Sequence, residues 1–181
     1  HKKRTQVEEL IVLDNPRLPR SFLEASRTVR RRIERAQKET GMKSFLVTSV
    51  MPGEGKSTVS ANIAISLAMK GYKVILVDAD LRNPSTAKVL GMQEQELGTL
   101  QVLKGEVKIE DAVQPYKDTS VMVLAGSSPI QDTSTVLSGE NMRQFIKELE
   151  AKADFVVIDT PPSAMLSDAA IVAQYVDGAV F

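Results

Sequence analysis

Residues 45–58 read FLVTSVMPGEGKST, and this stretch sets the fold that the rest of the chain must fit. The apolar run 45–47 leads into a glycine-rich loop, after which Val59, Ile63 and Leu67 recur at helical spacing. A strand, a loop and a helix in this order are the context that a Walker A phosphate-binding loop requires. Glycines allow backbone N–H groups to turn towards phosphate oxygens, and the helix N-terminus adds partial positive charge. The stretch therefore predicts a nucleotide site.

The loop supplies the residues that would contact the phosphates. Lys56 would reach the β and γ phosphates, and the Ser57 hydroxyl would bind Mg²⁺. The strict pattern G-x-x-x-x-G-K-[ST] fails at its first position, where Val50 replaces glycine, so a glycine-rich surface turn is the alternative interpretation. The predicted nucleotide-binding residues are Pro52, Gly53, Glu54, Gly55, Lys56, Ser57 and Thr58.

A pair of aspartates follows the next apolar run, 74–77. Strand alternation sends the side chains of Asp78 and Asp80 the same way, so two carboxylates face one site. Two clustered carboxylates are costly unless a cation or a proton separates their charges, so we expect Mg²⁺ or a substrate hydroxyl beside them. The alternative is a solvated turn in which Arg82 forms a salt bridge with these acids.

A third aspartate, Asp159, closes the apolar run 155–158. This is the Walker B arrangement, in which the acid orients a Mg²⁺-bound water, although many parallel strands end in aspartate without a metal. The loop and the two acidic segments occur in the order and context of a single nucleotide site. The predicted metal ligands are Ser57, Asp78, Asp80 and Asp159.

The other apolar runs complete the predicted fold. Short, nearly continuous apolar strands that alternate with helices indicate a parallel sheet covered on both faces, which is a doubly wound, mainly parallel α/β fold. The predicted strands are 45–47, 74–77, 121–124, 155–158 and 179–181, and the predicted helices are about 21–38, 57–69 and 140–152. Residues 1–20 are interpreted as a flexible arm and residues 21–181 as one domain, which stops inside a strand and is expected to continue.

Composition narrows the possible functions. Equal numbers of basic and acidic residues, 23 each, argue against bulk nucleic-acid binding. The absence of cysteine excludes disulfides and thiol nucleophiles, and the single histidine is His1. No apolar run approaches the roughly 20 residues needed to span a bilayer. A cytoplasmic protein that reaches a membrane only through a partner fits these observations.

These motifs resemble those of the bacterial tyrosine kinases of capsule and exopolysaccharide operons, which belong to the deviant Walker group of P-loop ATPases. The resemblance covers about residues 14–181 and rests on the loop 48–58, on VDADLR (77–82) and on VIDTPP (157–162). It implies ATP and Mg²⁺ as cofactors and protein tyrosines as substrates. The catalytic residues that follow from it are Lys56, Asp78, Asp80 and Arg82, with Asp80 orienting the acceptor hydroxyl.

The helix before the loop carries a further match. Glu24, Arg27 and Arg30 resemble the E-x-x-R-x-x-R motif that this family uses to form ring-shaped oligomers, and the alternative is a solvated helix face. The resemblance also implies a membrane-embedded activator that binds through its cytoplasmic tail, which would place the protein at the inner face of the membrane. No direct nucleic-acid partner is expected.

Several features depart from the relatives. Met51 stands where partition and division-site ATPases carry a signature lysine, a proline-rich stretch is altered at 128–132, and no tyrosine-rich tail is present. Tyr72 is predicted in a helix-to-strand turn, Tyr175 near a helix end, and Tyr116 in a loop. Two other functions remain open: a nucleotide-switched ATPase, and a non-enzymatic assembly module that binds ATP.

Overall fold

The computed structural model describes residues 20–47, 55–126, 140–160 and 178–180. Of residues 22, 55–57 and 178–180 it describes the backbone alone. Residues 1–19 of the predicted arm, loop residues 48–54, the altered stretch 128–132 and Tyr175 lie outside the described residues, and Arg20, which was assigned to the arm, is the first residue of a helix.

All the predicted strands form one sheet. The described strands are β1 (Ser44–Val47), β2 (Val74–Asp78), β3 (Gln114–Pro115), β4 (Val121–Leu124), β5 (Phe155–Asp159) and β6 (Gly178–Val180). Their order is β3-β4-β2-β5-β1-β6, and every neighbouring pair is parallel except β3 with β4. The prediction of a mainly parallel sheet is confirmed, and the short antiparallel β3 at its edge was not predicted.

The predicted helices are also present. The described helices are α1 (Arg20–Thr40), α2 (Gly55–Met69), α3 (Thr86–Val89), α4 (Thr99–Leu103), α5 (Ile109–Ala112) and α6 (Glu140–Lys152). Helices α3, α4 and α5 were not predicted, because an element of one turn is too short to show a helical period. In the part of the chain that the structure describes, no helix is long and apolar enough to cross a membrane.

The sheet has a hydrophobic core on each face because successive side chains of a strand point to opposite faces. One core, around Phe45, Leu76 and Val157, is covered by α2 and by Ile33 of α1. The other, around Ile75 and Val156, is covered by α6 and by the short helices α4 and α5. Helices cover both faces, so polar side chains can gather only at the strand ends, and in parallel α/β sheets the ligand site lies at the carboxyl ends.

Candidate functional site

Three neighbouring strands bring the two ends of the Walker A segment and the acidic residues to one edge of the sheet. β5 lies between β2 and β1, and its last residue, Asp159, is in register with both Asp78 and Val47. β1 ends at Val47 and α2 begins at Gly55, so loop 48–54 connects a central strand to a helix start at this edge. The first N–H groups of α2 have no acceptor within the helix.

Thr160 fastens the end of β5 to the end of β1. Both its backbone N–H and its hydroxyl donate to the carbonyl oxygen of Val47, at 3.1 and 2.9 Å. The side chain is fully buried, and the bonds fix the point from which loop 48–54 departs. The threonine of the VIDTPP segment therefore has a structural task that the motif comparison did not identify.

Asp78 is the buried anchor of the segment that follows β2. Its Oδ1 accepts the backbone N–H of Asp80 at 3.1 Å, and its Oδ2 accepts the N–H groups of Ser85 and Thr86 at 3.0 and 3.1 Å. A carboxylate with three N–H donors from one segment closes that segment into a compact loop. The loop carries Asp80 and Arg82, so Asp78 holds two of the predicted catalytic residues in place.

The charge of Asp78 is costly in this position. Burial and the neighbouring carboxylate of Asp159 raise its pKa to about 7, while the N–H groups of Thr86 and Asp80 oppose the rise. Thr86 bridges the two acids, because its hydroxyl donates to Asp159 Oδ2 at 3.3 Å. A buried pair of like charges is the arrangement that a bound cation stabilises.

The described acidic side chains suit a Mg²⁺ ion that takes its other ligands from water and phosphate, rather than an ion that is bound by protein side chains alone. Among residues 20–47, 55–126, 140–160 and 178–180, no three His, Cys, Asp or Glu side chains lie close enough to share an ion. Mg²⁺ is commonly held by one or two carboxylates together with waters and phosphate oxygens. Asp78 and Asp159 supply that number of carboxylates beside a helix start suited to phosphate.

Asp80 and Arg82 lie on the loop that Asp78 closes. Asp80 is 4% exposed, and its Oδ1 accepts the N–H of Asn83 at 3.2 Å. Arg82 is only partly exposed. The loop thus brings Asp80 and Arg82 to the same edge as Asp159, whereas the side chains of Lys56 and Ser57 lie outside the described residues.

Gly126 is a site residue that sequence reasoning missed. A Cβ at this position would lie 2.4 Å from Pro84 Cβ and 3.3 Å from Asp78 Oδ2. It follows β4, the neighbour of β2, at the same edge of the sheet. A glycine just after a core strand was the available signal, because it permits a close backbone approach.

The predicted assembly residues differ in their surroundings. Glu24 and Arg27 are exposed on α1. Arg30 is not: its side chain is 15% exposed, and its Nε donates to Glu34 Oε1 at 2.9 Å. Helix α1 itself packs against α2.

The two described tyrosines are both packed. Tyr72 lies between α2 and β2, as predicted. Tyr116 lies in the connection between β3 and β4, so its predicted place in a loop is confirmed, but its side chain is 2% exposed and belongs to the core around Phe45. The apolar part of its ring is buried next to the edge strand β3, which the sequence did not reveal.

The burial of Asp78 predicts that the stability of the ligand-free chain depends on pH. Its pKa rises from an ordinary value of 3.8 to about 7 on folding, so the folded chain binds more protons between these values. The free energy of unfolding should therefore fall as the pH rises through this window, by on the order of a few kcal/mol. Urea unfolding at several pH values, with EDTA present, measures the slope.

The asparagine of an Asp78→Asn chain cannot ionise, so its free energy of unfolding should lack the pH dependence that Asp78 contributes. Any stability that this variant loses through altered hydrogen bonds does not depend on pH. Asp118→Asn, which changes an exposed aspartate, is the matched control and should keep the slope of the unmodified chain. Equal slopes for all three chains would contradict the prediction.

Comparison with known proteins identifies relatives over most of the chain. The AAA domain family model matches residues 42–176. Tyrosine-protein kinase YwqD of Bacillus subtilis is 39% identical over 157 residues, which cover 87% of this chain and 66% of the relative. Putative tyrosine-protein kinase CapB of Staphylococcus aureus is 30% identical over 179 residues, which cover 99% of this chain and 77% of the relative. Against tyrosine-protein kinase CpsD of Streptococcus pneumoniae, the chain spans 61% of the relative's length.

Solved structures give the same fold. The chimerical protein CapA2B2 has a TM-score of 0.83 at 29% identity, over 94% of this chain and 74% of that one. The kinase domain of Escherichia coli ETK has a TM-score of 0.81 at 29% identity, over 88% and 62%. MinD from Pyrococcus horikoshii, complexed with Mg-ADP, has a TM-score of 0.63 at 31% identity, over 76% and 56%. The chain therefore has the MinD-like P-loop ATPase fold and belongs to the AAA domain family, within the group of the bacterial tyrosine-protein kinases.

Proposed function

We propose that residues 21–181 form the catalytic domain of an ATP-dependent protein-tyrosine kinase that acts in capsule or exopolysaccharide synthesis and export. The observation that carries this proposal is the buried pair Asp78 and Asp159 at the strand edge where α2 begins. That edge offers carboxylates for a cation and N–H groups for phosphate, side by side. The names and the fold of the relatives support the choice of tyrosine as acceptor.

Phosphoryl transfer depends on alignment and charge neutralisation more than on covalent chemistry by the protein. Backbone N–H groups of residues 53–58 and the Lys56 ammonium would hold the phosphates of ATP. Ser57, with the acids Asp78 and Asp159, would hold Mg²⁺, which neutralises phosphate charge when bound, and Asp80 is left for the acceptor because the three acids do not lie close enough to share one ion.

Asp80 would orient the acceptor hydroxyl towards the transferred phosphate. A tyrosine hydroxyl has a pKa near 10, so Asp80 need not remove its proton beforehand, and the proton can leave during or after a loose transition state. Asp78 would set the position of Asp80 through the N–H bond at 3.1 Å and add negative charge near the cation. Arg82 would stabilise the same loop or the negative charge of the phosphate.

Self-association through α1 is part of this proposal. The exposed Glu24 and Arg27 lie one turn apart on the helix that precedes the loop, with Arg30 a further turn along. Charged side chains at this spacing can meet a complementary surface on a second copy. A membrane-embedded activator, bound through its cytoplasmic tail, would bring the assembled kinase to the inner face of the membrane.

One alternative has support of its own. The similarity to MinD, which was solved with Mg-ADP, fits a nucleotide-switched ATPase that changes partners on hydrolysis. Met51 argues against it, because the signature lysine of such ATPases is missing. A non-enzymatic assembly module that binds ATP without transferring phosphate is the third function, and it predicts no product at all.

Product analysis separates these functions. The protein is incubated with γ-labelled ATP, Mg²⁺, the activator's cytoplasmic tail and a glutamate–tyrosine copolymer as acceptor, because the described Tyr72 and Tyr116 are packed. We expect label on tyrosine in proportion to the ADP formed. Free phosphate without phosphotyrosine would support the ATPase instead, and oligomers that form without either product would support the assembly module.

A further inference from the structure

A continuous line of contacts runs from the centre of the sheet to the assembly helix α1. The Tyr72 ring packs edge-on against Phe155 of β5, with ring centroids 4.9 Å apart. Its hydroxyl donates to Glu34 Oε2 at 2.9 Å. The other oxygen of the same carboxylate, Oε1, accepts Arg30 Nε–H at 2.9 Å. One glutamate therefore joins a tyrosine on the core to an arginine of the predicted assembly motif.

These contacts are shielded enough to define a geometry. The side chains of Arg30 and Glu34 are only 15% and 17% exposed, unlike the pair Arg20 and Glu24, at 93% and 61%. Exposed ion pairs contribute little and shift easily, whereas a shielded pair with an additional neutral donor keeps one arrangement. The hydrogen bond to Glu34 and burial also raise the pKa of Tyr72, so its phenol stays protonated and continues to donate.

The hydrogen bond to Glu34 fixes the orientation of the Arg30 guanidinium group. A guanidinium is planar, so fixing its Nε–H bond fixes the plane in which its two terminal nitrogens can donate. Arg30 thus uses its Nε–H for a hydrogen bond within its own chain, and this bond fixes the orientation of its two terminal nitrogens. Tyr72 lies outside the E-x-x-R-x-x-R motif, in the turn between α2 and β2.

We propose that Tyr72 and Glu34 are positioning residues that orient Arg30 for contact with a second copy of the chain. The inference rests on the proposed self-association through α1 and adds to it a part of the molecule that the motif does not contain. It predicts that association depends on a hydroxyl that itself touches no partner. It also predicts that the dependence passes through Arg30 alone.

The test measures self-association of the unmodified chain and its variants by sedimentation velocity over a range of concentrations. Tyr72→Phe keeps the ring on Phe155 and removes only the hydroxyl, and we expect association to weaken about tenfold. Glu34→Ala should weaken it at least as much. Glu34→Gln should restore most of it, because the amide can accept Arg30 Nε–H and donate to the tyrosine oxygen.

A double-mutant cycle distinguishes positioning from a general loss of structure. If Tyr72 acts through Arg30, the effect of Tyr72→Phe should shrink to near zero in an Arg30→Lys background, because lysine has no planar fork to orient. Unfolding midpoints measured on the same samples report stability separately. Arg35→Gln, an exposed change on the same helix, is the control and should associate normally.

The outcomes distinguish a failure of the positioning role of Tyr72 and Glu34 from a failure of the proposed self-association through α1. Normal association of Arg30→Ala would remove the assembly role of α1, and the positioning role with it. Lost association of Arg30→Ala together with normal association of Tyr72→Phe would overturn the positioning role alone. Equal effects of Tyr72→Phe in the unmodified chain and in the Arg30→Lys background would also overturn it.

Discussion

A Lys56→Met chain is expected to form phosphotyrosine about 10² to 10³ times more slowly than the unmodified chain in the copolymer assay. Lys56 is the second residue of α2, at the edge where the strands β1 and β5 end. Under the proposed mechanism its ammonium stabilises negative charge on the transferred phosphate, and removing one such stabilising group costs about 2.7–4 kcal/mol of transition-state energy. Methionine has a similar length and a good helix propensity, so α2 should persist.

The comparison needs a control for the loss of a positive charge anywhere on the protein. Lys104→Met replaces an exposed lysine after α4, at a distance in sequence from each predicted motif, and should leave the rate within about twofold. Circular dichroism confirms that both variants are folded. Unchanged phosphotyrosine yield from a folded Lys56→Met chain would remove this lysine from the mechanism.

The parts of the fold that the sequence predicted are those in which one physical pattern dominates. The strand 155–158 is apolar at every position because both faces of the sheet are covered, and the structure extends it by only one residue, to Asp159. Helix α6 was predicted to within its observed bounds from the apolar spacing of Met142, Phe145 and Leu149. A continuous apolar run and a long helix with periodic apolar positions are both visible in the sequence itself.

The segment between β2 and β4 could not be predicted in the same way. Helices α3, α4 and α5 have four or five residues each and are stabilised by contacts with other elements. For example, Thr99 at the start of α4 donates its N–H to the carbonyl of Ala125 at 2.9 Å. A bond between residues that are distant in sequence leaves no local pattern, and the burial of Tyr116 could not be predicted for the same reason.

The candidate site shows the same division. Strand-end aspartates could be placed at one edge because parallel strands end together, and Asp78 and Asp159 do lie in register. The use of Asp78 as an acceptor of three N–H groups could not be foreseen, because Ser85 and Thr86 approach it through the shape of a loop. The motifs thus predicted which acidic residues lie together at one edge. Only the structure shows that Asp78 also holds the loop after β2 through hydrogen bonds to its backbone.

Phe155→Ala is expected to lower the free energy of unfolding by about 3–5 kcal/mol, the range for truncating a buried phenylalanine. Phe155 is completely buried at the start of the central strand β5, and it contacts two other rings edge-on. The centroid of Phe45 is 6.5 Å away and that of Tyr72 is 4.9 Å away. Removal of the ring leaves a cavity and also breaks both aromatic contacts, each of which adds to the cost of lost burial.

Urea unfolding measures this effect, and Leu97→Ala provides the control because it truncates an apolar side chain that is 46% exposed. We expect the control to change the free energy of unfolding by less than about 1 kcal/mol. Since whole domains are stable by only about 5–15 kcal/mol, Phe155→Ala should leave a measurable unfolded fraction in dilute urea. A loss of under about 1 kcal/mol would contradict the prediction and mean that neighbouring side chains collapse into the cavity.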